Sequence, residues 1–352
     1  MEADQRVVKS ILGETICFCV IPIRRLTDRN ERVATGQRPA YINVEEHMPA
    51  ISRREFIKQS TTGMTVAGFL SLGARKVRAN PLGLPIGSQT YPHRQRIKDG
   101  DFAGLCRDMA ALGIGSLELC SPGYAEFASL ADAKQTRKIM EDHGLICPSS
   151  HFTLEELRTK QQQMIAWAKE IGMTQMGTAT LDGPVQNGIT TMDAVKKAAD
   201  EYNKIGEAAA NAGIQQFLHD ERFEASKVDG RLTYEVSLEL LDPKLVKMQF
   251  QMIAMTVIGD PVMYFTKYPG RFISLHLQGV DLNAPLPGPG RRQGPRAGRG
   301  RGGEWGLAVG KDSLDWAKIF AAARTGGVKN YFLEQNWDLT VQGVAYLKTL
   351  NV

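Results

Sequence analysis

Phe272-Ile273-Ser274-Leu275-His276 and Tyr331-Phe332-Leu333-Glu334 are two short apolar runs, each closed by a side chain able to ligate a metal. Runs of this length, rich in aromatic and β-branched residues, read as buried strands. In a (β/α)8 barrel, parallel strands deliver their C-terminal residues to one shared face, so ligands far apart in sequence can meet around one ion. Two earlier stretches fit the same pattern. Glu224 closes Phe217-Leu218-His219-Asp220-Glu221-Arg222-Phe223-Glu224, and Gln251 stands in Val246-Lys247-Met248-Gln249-Phe250-Gln251-Met252. Glu224, Gln251 and His276 are 27 and 25 residues apart, each about one βα unit, and the 58 residues from His276 to Glu334 span two strands and an insertion.

From Leu82 onward, short apolar runs alternate with amphipathic helical stretches, which is the mark of a parallel sheet with crossover helices. The pattern predicts eight strands, over Leu84–Gln89, Ser116–Cys120, Ile146–His151, Gln175–Thr178, Gln215–His219, Lys247–Met252, Phe272–Leu277 and Tyr331–Gln335. It predicts helices over Asp101–Leu112, Leu154–Ile171 and Met192–Ala212, the last stopped by Gly213. Eight βα units in 273 residues, Asn80 to Val352, make one closed (β/α)8 barrel domain. An open doubly wound sheet is the alternative, but it wants a glycine-rich phosphate loop after its first strand, and Gln89-Thr90-Tyr91-Pro92 supplies none.

The first 79 residues read differently. Ser52-Arg53-Arg54-Glu55-Phe56-Ile57-Lys58, the mildly apolar Thr61 to Ala74 and then Val77-Arg78-Ala79 resemble a twin-arginine export signal with a small-residue cleavage site. The apolar run is interrupted by Gly63, Gly68 and Gly73 and is too short to serve as a permanent membrane anchor. Residues 48–79 are therefore expected to be the signal peptide. Residues 1–47, which show no sustained period, are expected to be a gene-model extension or a disordered leader, with translation starting at Met48. The expected location is periplasmic or extracellular, and the expected partner the twin-arginine export machinery. Of the 43 Lys/Arg and 38 Asp/Glu in the chain, 13 and 8 lie in residues 1–79, leaving 30 of each. The whole-chain charge of +5 thus belongs to the leader, and the neutral remainder gives no reason to expect a nucleic-acid partner. Cys106, Cys120 and Cys147, an odd number at irregular spacing, suggest buried reduced thiols rather than a disulfide framework.

One segment breaks the barrel pattern. Residues 285–303 read PLPGPGRRQGPRAGRGRGG, a tract unable to bury apolar surface and expected to be flexible. It follows the seventh strand and so emerges on the ligand-bearing face. It is a solvated insertion, tolerated because loop length enters closure entropy only logarithmically, or a basic lid drawing in an anionic sugar or a phosphate through Arg291, Arg292, Arg296, Arg299 and Arg301, or, as RG-rich segments can be, an RNA-binding tract, which an exported neutral protein has little occasion to use.

Taken together, Leu82 to about Leu350 resembles the xylose isomerase-like sugar phosphate isomerase/epimerase superfamily. The segment His219 to Glu224 is similar to its fifth-strand HNHxFEF pattern, with Glu224 on the metal-ligating Glu. Where relatives carry an Asp ligand, this chain has Gln251, ahead of Gly259-Asp260-Pro261. Tyr268-Pro269-Gly270-Arg271-Phe272 leads to His276, after which Gln278-Gly279 replaces the usual Lys-Asp. Val309-Gly310, Asp315-Trp316 and Phe332-Leu333-Glu334-Gln335 stay close to the pattern. The resemblance implies a metal quartet of Glu224, Gln251, His276 and Glu334 holding Mn²⁺, Mg²⁺, Co²⁺ or Zn²⁺. It also implies that Glu224 and Glu334 face each other across the substrate as acid and base. The chemistry would be removal of a proton next to a sugar carbonyl, with the ion stabilising the resulting enediolate oxygen. Gln251 removes one negative charge from that quartet and should weaken the metal. Glu118, His151 and His219, at or near strand ends, are candidates for contacts to substrate hydroxyls, packing being their ordinary alternative. Two functions follow: an exported metal-dependent isomerase or epimerase of a sugar or keto-sugar, or a non-catalytic carbohydrate-binding barrel with a degraded metal site.

Overall fold

The structure, a computed structural model, describes residues 80–179, 181, 190–219, 225–284 and 306–352, together with two short strands, Ile11–Leu12 and Thr15–Ile16, that pair antiparallel. The chain divides into two units, residues 1–73 and 74–352. The expected signal peptide and the Pro/Gly/Arg tract lie outside the described residues, as does Glu224 with its neighbours Asp220 to Phe223.

Eight parallel strands of the second unit close into a barrel: β1 Gly87–Gln89, β2 Ser116–Cys120, β3 Ile146–His151, β4 Gln175–Thr178, β5 Gln215–His219, β6 Val246–Gln251, β7 Phe272–Leu277 and β8 Asn330–Leu333. Each strand pairs with the next, and β8 returns to β1 through Phe332↔Gly87. The open-sheet alternative is thereby excluded. Outer helices include α1 Phe102–Leu112, α2 Ala133–Glu141, α3 Leu154–Thr159, α4 Gln161–Ile171, α5 Met192–Asn211, α6 Thr233–Leu240, α7 Pro261–Lys267, α8 Trp316–Gly326 and α9 Trp337–Leu347.

Local chemistry sets the helix ends. Thr153 and Glu156 form a capping box at the start of α3, satisfying two backbone donors reciprocally. Asp132, Asp315 and Asn336 accept first-turn N–H groups of α2, α8 and α9. Gly113 and Gly172 close α1 and α4 at φ 95° and 97°, where a Cβ would be strained. The expected single helix Leu154–Ile171 breaks at Lys160 (φ −133°), which ends α3 and precedes α4.

The apolar core lies between sheet and helices. Leu119, Leu218, Phe250, Leu275 and Leu333 are fully buried there, and the Phe250 and Phe272 rings pack on Phe265 of α7 at 4.8 and 5.0 Å. The inside of the barrel is unusually polar, whereas branched apolar residues dominate most such interiors. Two register shifts arrange this. Met248 pairs with Phe272 but Gln249 with Ser274, so β7 carries one extra residue. Likewise Ser116 pairs with Ile146 but Glu118 with Ser149. Such bulges re-aim side chains. After them Ser274 and His276 stand beside Gln249 and Gln251, and Ser149 and His151 beside Glu118 and Cys120. Gly177 on β4 leaves room for the Phe217 ring: a Cβ there would lie 2.4 Å from Phe217 Cδ2.

Candidate functional site: a buried His–carboxylate–amide cluster

The site is built at the C-terminal ends of the strands, where barrel enzymes place their chemistry. Gln251 is the last residue of β6, His276 the penultimate residue of β7, and Glu334 follows β8 directly. All three are buried. The Gln251 amide Nε2 donates to Glu334 Oε2 at 2.5 Å, and the Gln278 amide Nε2 donates to the same oxygen at 3.1 Å and to the Glu334 carbonyl at 2.9 Å. His276 Nδ1 lies 3.4 Å from Glu334 Oε2. Three of the four expected metal-quartet positions thus converge, and Glu224, the fourth, lies outside the described residues.

Beneath them is a second polar layer centred on Glu118 of β2, which has no solvent exposure. Its Oε2 meets His276 Nε2 at 2.5 Å and lies 3.4 Å from His151 Nε2. Its Oε1 accepts from Ser149 Oγ at 2.7 Å and from Gln249 Nε2 at 2.8 Å. Gln249 Nε2 also reaches Ser274 Oγ at 2.8 Å, while Gln249 Oε1 lies 2.6 Å from His151 Nε2. β2, β6 and β7 are not all neighbours, so the Glu118–His276 and Glu118–Gln249 bonds cross the lumen. Glu118, expected to meet substrate hydroxyls, is therefore placed under His276 with both carboxylate oxygens engaged.

His151 and His219, the other two expected substrate contacts, end β3 and β5 and are buried. With His276 they form a buried triad whose ligand atoms lie within 4.8 Å of one another. Ring centroids are 5.0 Å apart for His151 and His219, 5.3 Å for His151 and His276, and 4.6 Å for His219 and His276.

Electrostatics distinguish these imidazoles. Burial disfavours a charged His276, but the Glu118 and Glu334 carboxylates outweigh it and hold its pKa above the ordinary value. His151 goes the other way, to about 4, because burial dominates over the attraction of Glu118, and His219 and His276 add to the shift. Burial would raise the Glu118 pKa, but His151 and His276 together hold it below the usual carboxylate range. Cys106, Cys120 and Cys147 are buried free thiols. Burial pushes Cys106 up to about 12 and the other two upward as well, so they stay protonated and are poor metal ligands.

The donor set around Glu334 fits a hard divalent cation. Gln251 Oε1, Gln278 Oε1 and His276 Nδ1 are buried and have no hydrogen-bond partner among the described residues. Two amide oxygens and an imidazole nitrogen beside a carboxylate are ligand types such an ion takes. Ser149, Gln249, Ser274 and, as a member of the site, Gln278 were not expected from sequence. Their signal was present in principle, since each is a polar residue interrupting or directly following an apolar strand.

Three comparisons place the fold. A sugar phosphate isomerase/epimerase from Parabacteroides distasonis superimposes with a TM-score of 0.57 at 20% identity, over 76% of this chain and 96% of that one. A xylose isomerase-like TIM barrel protein from Mycobacterium smegmatis, solved in complex with magnesium, gives 0.57 at 15% identity, over 76% and 97%. An L-ribulose 3-epimerase gives 0.54 at 15%, over 75% and 91%. No family model and no curated protein matches the sequence. The chain thus has the closed, eight-stranded fold of the xylose isomerase-like TIM barrels.

Proposed function

We propose that the protein is a divalent-metal-dependent isomerase or epimerase of a sugar or keto-sugar. The observation that carries this reading is the convergence of Gln251, His276 and Glu334 at the ends of β6, β7 and β8, where Gln251 Oε1 and His276 Nδ1 are buried without a hydrogen-bond partner among the described residues. Gln251 Oε1, His276 Nδ1 and Glu334 would hold the ion, with Glu224 as the fourth ligand from the sequence pattern. Bound there, a cation would supply Lewis-acid stabilisation of the oxyanion formed next to the abstracted proton.

The chain's own residues account for the rest. Glu334, buried except for a 4% edge, would take or return a proton at the strand ends, as the resemblance implies. The histidine triad is buried beside this cluster, and charge interactions in so buried a place are stronger than in water. Among the described residues no helix is long and apolar enough to cross a membrane. We extend the proposal to export through the twin-arginine machinery, on the strength of Arg53-Arg54 and the Val77-Arg78-Ala79 site, with a periplasmic or extracellular location.

A second reading has its own support. The Gln251 amide donates to Glu334 at 2.5 Å, a neutral partner of the kind a degraded metal site in a carbohydrate-binding barrel would keep. One experiment separates the two. Purified protein is assayed for bound divalent metal by elemental analysis, then incubated with ketoses and aldoses in deuterated buffer. The enzyme reading expects metal near one equivalent and deuterium at the carbon next to the carbonyl. Sugar binding without metal or exchange would establish the binding barrel instead.

A further inference from the structure

We infer that Glu118 is a positioning residue for the metal site: it takes the Nε2 proton of His276 into a hydrogen bond and so turns the Nδ1 lone pair toward Glu334 and Gln251. The inference rests on the metal-site reading above and adds to it a residue that touches neither metal nor substrate. An imidazole has two nitrogens, and the one available to a cation is set by the bond the other makes. Here Nε2 lies 2.5 Å from Glu118 Oε2, while Nδ1, on the other side of the ring, is 3.4 Å from Glu334 Oε2.

Glu118 is itself locked. Ser149 Oγ and Gln249 Nε2 both donate to its Oε1, at 2.7 and 2.8 Å, so the carboxylate cannot rotate without breaking two buried bonds. Oε2 is left for the histidines. Glu118 and the two residues that lock it come from β2, β3 and β6, so the orientation of His276 on β7 is fixed by side chains of other strands meeting in the lumen. A carboxylate wholly removed from solvent is costly to keep, and its presence is accounted for if it must hold a cationic or cation-binding ring.

The same network fixes the consequence of Glu118→Gln. Because Ser149 and Gln249 donate to the Oε1 position, the new amide must place its oxygen there and its NH2 at the Oε2 position. That NH2 would donate to His276 Nε2, which must then be unprotonated, leaving the proton on Nδ1 where the cation should bind. A nearly isosteric change thus reverses the ring.

The test uses the whole protein with ¹⁵N-labelled histidine, read by NMR, and Mn²⁺ affinity by calorimetry. In wild type we expect a far-downfield, exchange-protected Nε2–H proton, assigned to His276 by its loss in His276→Ala and retained when Mg²⁺ saturates the site. In Glu118→Gln this resonance should vanish and Mn²⁺ affinity should fall about 10- to 100-fold. Unchanged Mn²⁺ affinity in Glu118→Gln overturns the inference. So does a wild-type His276 whose Nε2–H is unprotected or is lost on Mg²⁺ loading, a readout that stands even if the variant fails to fold. If wild type binds neither ion, the metal reading fails, and the ring proton of the metal-free protein still decides whether Glu118 orients His276.

Discussion

Gln251→Glu is the substitution that most sharply separates a cation site from a closed hydrogen-bond network. The Gln251 amide donates to Glu334 Oε2 at 2.5 Å, with 1% and 4% of the two residues exposed. Glutamate is nearly isosteric but exchanges that donor for a second carboxylate oxygen. Without a cation, two carboxylates would share one buried pocket, with only the Gln278 amide at 3.1 Å and the His276 ring to offset them. Leaving a buried charge without its partner costs about 3 kcal/mol. For a barrel of this size that corresponds to a Tm lowered by about 6–12 °C in chelator. With Mn²⁺ the sign reverses, because the added charge becomes a ligand, and affinity should rise roughly tenfold or more, on the order of 1.4 kcal/mol. Differential scanning calorimetry in EDTA and isothermal titration with Mn²⁺ read the two halves separately. If Gln251→Glu melts with wild type in EDTA and binds Mn²⁺ no more tightly, Gln251 does not face a cation site.

Other outcomes are expected. Glu334→Gln should weaken Mn²⁺ binding and lower solvent-proton exchange about 10²–10⁴-fold, because it removes both a ligand charge and the base; exchange at the wild-type rate would assign the proton transfer elsewhere. Arg53→Lys with Arg54→Lys should retain the protein in the cytoplasm on cell fractionation, and unchanged export would remove the signal assignment. Gly177→Ala should destabilise by about 1–3 kcal/mol in urea titrations, since the new methyl overlaps Phe217 inside the barrel. His93, 6% exposed against Trp337, is depressed by burial and then by Arg96 to about 4. The folded state therefore binds fewer protons than the unfolded chain between pH 6.5 and 4, and stability present above 6.5 is lost as pH falls, by at most about 3 kcal/mol. His93→Phe should flatten that slope relative to wild type in Tm measured against pH.

Much of the barrel was readable because strand and helix periods differ and each strand is bounded by turn residues. Ser116–Cys120, Ile146–His151, Gln175–Thr178, Gln215–His219 and Phe272–Leu277 form where the apolar runs predicted them. The first strand begins at Gly87 instead of Leu84 because a 3-10 turn, Pro81–Gly83, precedes it and Pro85 has no N–H to give a ladder. The apolar spacing of Leu154–Ile171 runs straight through Lys160, so the break between α3 and α4 was invisible to periodicity. The site was legible only at its rim. Gln251, His276 and Glu334 could be placed from strand ends, but the Glu118 network depends on which residues face each other across the lumen. Two one-residue register shifts decide that, near Met248 and near Ser116. A bulge leaves no mark in an apolar run, so no reading of β2 alone could have brought Glu118 to His276.

Those shifts also explain why a neutral residue at 251 is compatible with a folded barrel. Glu118 is engaged by His276 Nε2, and the Gln251 and Gln278 amides supply donors to Glu334, so each of the two buried carboxylates already has its own partners. An aspartate at 251 would add a third negative group to the same buried space, and the barrel would then depend on a cation to fold comfortably. Gln251 relaxes that dependence and weakens the cation by the same electrostatic term, since one charge serves both balances. A protein built this way should fold without metal and bind it with modest affinity.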